Sequence, residues 1–149
     1  MIAIKRADPR RAEFRVLLKA GEDYGAALYA AESNHYLDVE TLCQPEMKFF
    51  GLFVNGEAKG CGGFWTFGDY VEIKRVWVDP SMRGMELGQL MMDVLHETAR
   101  DMGYELARLE TGIHQPEALK LYEKLGYRTI APFGDYRPDP LSVFMEKTL

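Results

Sequence analysis

Val71-Glu72-Ile73-Lys74-Arg75-Val76-Trp77-Val78-Asp79-Pro80, followed by Arg83-Gly84-Met85-Glu86-Leu87-Gly88, decides how this chain folds. The first segment is an apolar run closed by a proline, the pattern of a strand that stops abruptly. The second carries an arginine and two glycines and leads into a helical pattern from Gln89. Backbone N–H groups at a helix start have no intrahelical partner, and the helix dipole adds positive potential there. A strand-to-helix turn of this composition suits a phosphate or pyrophosphate. No Lys-Ser or Lys-Thr follows it, and no Gly-x-Gly-x-x-Gly is present, so the ATP-type loop and the dinucleotide fingerprint are both excluded.

Upstream, the pattern is β. Met47 to Val54 is apolar and aromatic, Asn55-Gly56 is a strong hairpin signal, and Glu57 to Phe67 returns. Gly60, Gly62 and Gly63 point to a bulge or a close backbone approach on that strand. Gly68-Asp69 turns the chain into the strand from Tyr70 to Val78. Ahead of this meander, Ile2 to Lys5 reads as a short strand. Asp8-Pro9 reads as a helix cap and first turn, with Phe14, Leu17 and Leu18 at helical spacing. Gly21 is expected to interrupt that helix before a second stretch from Glu22 to Glu32. After the polar loop Ser33-Asn34-His35, Asp38 caps a short helix through Cys43.

Downstream, Leu87, Leu90, Met91, Val94, Leu95 and Met102 form one apolar helix face, with His96 on the outer side and Gly103 as the C-cap. Glu105 to Thr111 reads as a strand. Pro116 to Leu125 reads as a helix, with Ala118, Leu121, Tyr122 and Leu125 on one face. Tyr127 to Ile130 and Leu141 to Lys147 close the sheet. Pro132 to Pro140 between them is too long for a simple turn, which makes Asp135 and Tyr136 functional candidates. The expected architecture is α/β (α+β), a mixed and mostly antiparallel sheet of six to seven strands flanked by helices.

The 149 residues suit one domain, 1–149, with one core. A net charge of −5, from 18 basic and 23 acidic residues, argues against a nucleic-acid or anionic-membrane binder. Cys43 and Cys61 alone make neither a disulfide framework nor a zinc site. His35, His96 and His114 show no metal spacing. The N-terminal residues lack a secretion signal's apolar region, so the expected location is cytoplasmic.

Two blocks of the chain resemble a known family. Glu72 to Pro80 with Arg83-Gly84-x-x-x-Gly88 is similar to the acetyl-CoA-binding motif of the GCN5-related N-acetyltransferases (GNAT). Gln115-Pro116-Glu117-Ala118-Leu119-Lys120-Leu121-Tyr122, running on to Gly126-Tyr127, resembles that family's Asn-x-x-Ala-x-x-Leu-Tyr block. Both occur in the family's order and in the right strand-turn-helix context. The resemblance implies the acetyltransferase fold, acetyl-CoA as co-substrate without a metal, and acetyl transfer to a primary amine of a small molecule or peptide.

It also implies roles. Arg83, Gly84, Met85, Glu86, Leu87 and Gly88 would hold the pyrophosphate. Val76, Trp77 and Val78 would pair with the pantetheine arm, with one N–H near Val76 acting as an oxyanion donor. Gln115 and Ala118 would complete the cofactor site. Glu72 would be the general base, with Glu110 in reserve, and Tyr122 would protonate the leaving thiolate, a gain of ~10- to 100-fold. No cysteine sits beside a base, so direct attack is expected. The acidic set Asp69, Glu72, Glu110 and Asp135 favours a cationic acceptor. The chain departs from the motif at Glu86, which replaces a usual glycine, and at Gln115, which replaces asparagine. Glu86 keeps a second reading open, a CoA-binding regulatory module that retains the fold without turnover. A homodimer through β-edges or the C-terminal strands is also left open.

Overall fold

The computed structural model describes residues 1–30 and 37–149. Seven strands form one sheet: β1 (Ile2–Arg6), β2 (Met47–Val54), β3 (Glu57–Thr66), β4 (Val71–Val78), β5 (Leu106–Gly112), β6 (Arg128–Ile130) and β7 (Ser142–Thr148). Their spatial order is β1-β2-β3-β4-β5-β7-β6. Every neighbouring pair is antiparallel except β4–β5, so the expected mixed, mostly antiparallel sheet is present. Asn55 and Gly56 both take positive φ, 50° and 85°, as a two-residue hairpin of this hand requires.

Four helices cover the two faces: α1 (Ala12–Leu28), α2 (Val39–Leu42), α3 (Leu87–Asp101) and α4 (Pro116–Lys124). On one face Leu87, Met91, Met92, Leu95 and Ala99 of α3 bury against Val71 and Ile73 of β4 and Ala107 and Leu109 of β5. On the other, Phe14, Leu17 and Leu18 of α1 pack with Leu42, Met47, Phe49 and Cys61. Burying a large apolar side chain fully contributes about 1.5–3 kcal/mol, so these two layers supply most of the drive to fold. No helix among the described residues is long and apolar enough to cross a membrane.

Several local expectations are corrected. Gly21 does not break the first helix. It lies inside α1, where a Cβ would stand 3.7 Å from the Trp77 ring, an ordinary contact distance. Asp8 does not cap that helix. Its carboxylate accepts from the Arg10 backbone and side chain, and α1 begins after Arg11, which supplies no side-chain cap. Asp38 does cap α2, accepting from the Thr41 N–H at 2.8 Å. His96 is not on an outer face. It is 3% exposed, and its Nε2 lies 2.7 Å from the Tyr127 hydroxyl. Leu90 and Met102, assigned to the apolar face of α3, are exposed. The loop residues 33–35, including His35, lie outside the described residues.

Candidate active site

Parallel strands β4 and β5 pair only at Val71–Ala107 and Glu72–Arg108. Beyond Glu72 they part, and the gap between them is a cleft of about 150 Å³. Five of the expected site residues line it: Glu72, Val76, Trp77, Gln115 and Tyr122, together with the reserve candidate Glu110 and the loop residue Tyr136. Val78, Ala118 and the Arg83 to Gly88 turn do not line this enclosed part. Asp69 and Asp135, expected near the cleft, are exposed elsewhere.

β4 carries an irregularity that sets the cleft's geometry. Its register with β3 passes from Gly63–Lys74 to Cys61–Trp77, so Gly62 alone faces both Arg75 and Val76. This is a β-bulge on β4, and the glycine-rich β3 strand carries the one expected of it at Lys59, next to Gly60. The β3 glycines also serve close approach. A Cβ on Gly62 would stand 3.1 Å from Val76 and 3.2 Å from Met91, and one on Gly60 would stand 2.9 Å from the Trp77 carbonyl. β3 has its own shift opposite Leu52 and Phe53. Arg75 adopts φ +60°, a left-handed conformation that costs a non-glycine residue ~1–2 kcal/mol. Val76 has no partner in either neighbouring register.

Three polar groups meet on one side of the cleft. Tyr136 donates its hydroxyl to Glu72 Oε2 at 2.5 Å, and Lys74 Nζ donates to the Tyr136 oxygen at 2.8 Å. Lys74 also lies 3.1 Å from the same Glu72 oxygen. Burial, and then the charge of Glu72, pushes the Tyr136 pKa far up, so it remains a donor. Glu110 stands apart from this set. Ser142 donates to it at 2.9 Å, while burial raises its pKa to about 7. Tyr122 on α4 is raised to about 12, first by burial and then by the charge of Glu110. Among the described residues Glu110 makes no ion pair, whereas Glu72 pairs with Lys74 and Arg75 with Glu22.

At the far end of α1, the Tyr29 hydroxyl accepts from the His114 N–H at 3.0 Å and donates to Gln115 Oε1 at 3.3 Å. Its ring stacks on His114, with centroids 5.5 Å apart. Gly112 makes room for it, since a Cβ there would run into the Tyr29 phenol.

The anion turn has the local geometry its sequence requires. Gly84 has φ +84°, and Glu86, the N-cap of α3, has φ +56°. A glycine reaches this backbone without cost, so Glu86 keeps the turn at the expense of some strain. Its side chain is 75% exposed, with the carboxylate 4.0 Å from Lys124 Nζ, so it projects into solvent toward a cation. The first helical bond runs from Leu90 N–H to the Glu86 carbonyl. The preceding N–H groups of the first turn are therefore the ones open to an anion. Gly88 stands where a Cβ would be 3.4 Å from Leu121, which brings α3 close to α4. A strand edge released by the splay, leading to an exposed helix start with open N–H groups, suits an extended ligand that carries a phosphate or pyrophosphate.

Lys74, Arg75, Tyr29 and Ser142 were not singled out from sequence. A signal for the bulge was present. Apolar residues at 71, 73, 76 and 78 slip from a spacing of two to three across Lys74-Arg75, which marks an inserted residue.

This fold and cleft define an acyl-CoA-dependent N-acyltransferase. The sequence profile of the Acetyltransferase (GNAT) family matches residues 15–127. An IAA acetyltransferase of Azospirillum brasilense is 39% identical over 150 residues, covering 99% of this chain and 98% of that one. A solved structure from Klebsiella pneumoniae, described as an acyl-CoA N-acyltransferase, is 37% identical with a TM-score of 0.85, covering 100% of this chain and 98% of that one. The PaiA N-acetyltransferase of Thermoplasma acidophilum, solved with coenzyme A, shares the fold at a TM-score of 0.75 and 15% identity, covering 100% of this chain and 99% of that one. The chain belongs to the GNAT family and is an acetyl-CoA-dependent N-acetyltransferase.

Proposed function

We propose that the cleft passes the acetyl group of acetyl-CoA directly to a primary amine of a small molecule or peptide, with Glu110 as the general base. The co-substrate supplies an activated acyl thioester, and the chain supplies position and proton transfer. The observation that carries this reading is the placement of Glu110, raised to about 7, on the same cleft wall system as Tyr122 and Val76. An amine must lose its ammonium proton to attack, and a base with a pKa near the working pH accepts that proton best. Glu72, the first candidate from sequence, is engaged by Lys74 and Tyr136, which supports a role in holding the cleft's polar set. The Val76 N–H is the oxyanion donor. The Tyr122 hydroxyl gives its proton to the departing thiolate. The first turn of α3, from Arg83 to Gly88, holds the pyrophosphate.

Direct transfer is supported by the state of Cys61. Its thiol donates to the Arg75 carbonyl at 3.5 Å, and burial pushes its pKa up to about 12, so Cys61 offers no thiolate nucleophile; Cys43 does not line the cleft. The acceptor is cationic before it reacts. With Glu72 paired to Lys74, Glu110 is the carboxylate among the described cleft residues that has no ion pair and can receive an ammonium.

The test is release of free thiol from acetyl-CoA across a panel of primary amines. Turnover with cationic acceptors, lost in Glu110→Gln and retained in substantial part by Glu72→Gln, supports the assignment. Equal losses in the two variants would return the base role to Glu72. Turnover confined to anionic acceptors would overturn the acceptor class.

A further inference from the structure

Arg75 is a polar side chain turned inward, and its contacts reach away from its own strand. The guanidinium is 5% exposed. Its Nη2 donates to the Leu18 carbonyl at 3.0 Å, and its Nη1 donates to the Leu37 carbonyl at 3.1 Å and to Glu22 Oε1 at 3.2 Å. Two of these acceptors belong to α1 and the third to the segment entering α2. α1 also contributes Leu17, Gly21 and Tyr24 to the cleft. The backbone of the same residue is the left-handed element of the bulge that leaves Val76 without a register partner.

We infer that Arg75 is a positioning residue: its guanidinium bolts the β4 bulge to the α1 wall and so holds the Val76 N–H where the acyl oxygen is received. This rests on the acyl-transfer reading above. A left-handed arginine is a poor choice if only the backbone shape is needed, because glycine would give it without strain. The side chain must therefore return something. A planar fork with several fixed donors satisfies two carbonyls and a carboxylate at once, which a lysine ammonium on a flexible stem does not reproduce. Glu22 is half exposed and anchors the outer end of the bolt. The arrangement ties the wall that meets the acceptor to the group that meets the acyl oxygen.

Three variants and two readouts test this. Arg75→Gly keeps the positive φ and deletes the bolt, Arg75→Lys keeps the charge and loses the fork, and Glu22→Gln removes the charge from one of the three described acceptors. Expected are a fall in kcat of about 10- to 100-fold in the first two, a smaller fall in the third, and a KM for acetyl-CoA within about two-fold of wild type. The second readout is the Val76 amide resonance in 15N-labelled protein without ligand. It is expected to shift and broaden in Arg75→Gly and to stay near its wild-type position in Glu22→Gln. Unchanged kcat in Arg75→Gly, or an unmoved Val76 resonance, would overturn the inference. So would a loss confined to thermal stability, with full kcat per folded molecule. If wild type releases no thiol with any amine, the acyl-transfer reading fails by itself, and the Val76 resonance still decides whether Arg75 sets the bulge.

Discussion

Tyr136 and Glu72, 64 residues apart in sequence, share a 2.5 Å hydrogen bond inside the cleft. The β6–β7 loop thereby closes over β4 and brings its hydroxyl to a carboxylate that is 4% exposed. Tyr136→Phe removes the donor from Glu72 and the acceptor from Lys74. A hydrogen bond to a charged group contributes about 1.5–3 kcal/mol, and denaturant unfolding should show a loss in the lower part of that range because Lys74 remains beside Glu72. Loss of several-fold in kcat should accompany it.

The pH dependence follows from Glu110. Below about 7 it is protonated and cannot accept the ammonium proton, so kcat/KM should rise with pH through that region. Tyr122, raised to about 12, stays protonated throughout and sets no descending limb at ordinary pH. Glu110→Gln should lower kcat/KM by about a hundred-fold and flatten the ascending limb. Stability moves the opposite way. The folded pKa lies above the ordinary 4.5, so folding favours the protonated form and stability falls as pH climbs from 4.5 through 7, by roughly 3 kcal/mol. Urea unfolding of wild type against Glu110→Gln between pH 4 and 9 measures this.

His96 governs the acid side. Burial lowers its pKa to about 4, so the neutral ring is the folded form. As pH falls from 6.5 to 4 the unfolded chain takes up a proton that the folded one refuses, and stability drops by roughly 3 kcal/mol. The double variant His96→Leu with Tyr127→Phe removes both polar groups together. Its unfolding free energy should lose that acid slope.

Glu86→Gly tests the departure within the anion turn. Glycine relieves the left-handed backbone and should stabilise the fold by up to ~1 kcal/mol. Because the Glu86 carboxylate projects toward Lys124, calorimetry should find CoA affinity improved by no more than about three-fold. A gain beyond ten-fold would mean that the carboxylate faces the ligand.

Gly112→Ala probes the Tyr29 dock. The new methyl collides with the Tyr29 phenol, and an overpacked site of this kind costs about 1–3 kcal/mol. Adding Tyr29→Ala should recover part of that loss in thermal unfolding, since the space is then vacant.

The meander and the turn into α3 were legible because local chemistry specifies them. Asn55-Gly56 sets a hairpin of one hand, and Pro80 followed by Gly84 ends a strand and turns the chain. The cleft's wiring was less legible because its partners are remote in sequence. Nothing near Glu72 announces Tyr136, and nothing near Arg75 announces the carbonyls of Leu18 and Leu37. Gly21 and His96 also depart from the sequence reading. Propensity marks the glycine as a break, but the helix runs through it, and periodicity places outside a histidine that bonds Tyr127, distant in the chain. The surroundings that separate Glu110 from Glu72, Ser142 for one and Lys74 with Tyr136 for the other, are likewise remote or unannounced in sequence.

The two-residue contact between β4 and β5 bears on how the molecule comes apart. Strands β1 to β4 and strands β5 to β7 meet in only two register pairs, Val71–Ala107 and Glu72–Arg108, with α3 lying across both sides of the seam. Native-state hydrogen exchange tests whether that seam divides the ligand-free protein into two foldons or α3 holds it as one. A ligand lying along both sides would bridge the seam and slow exchange far from the atoms it touches.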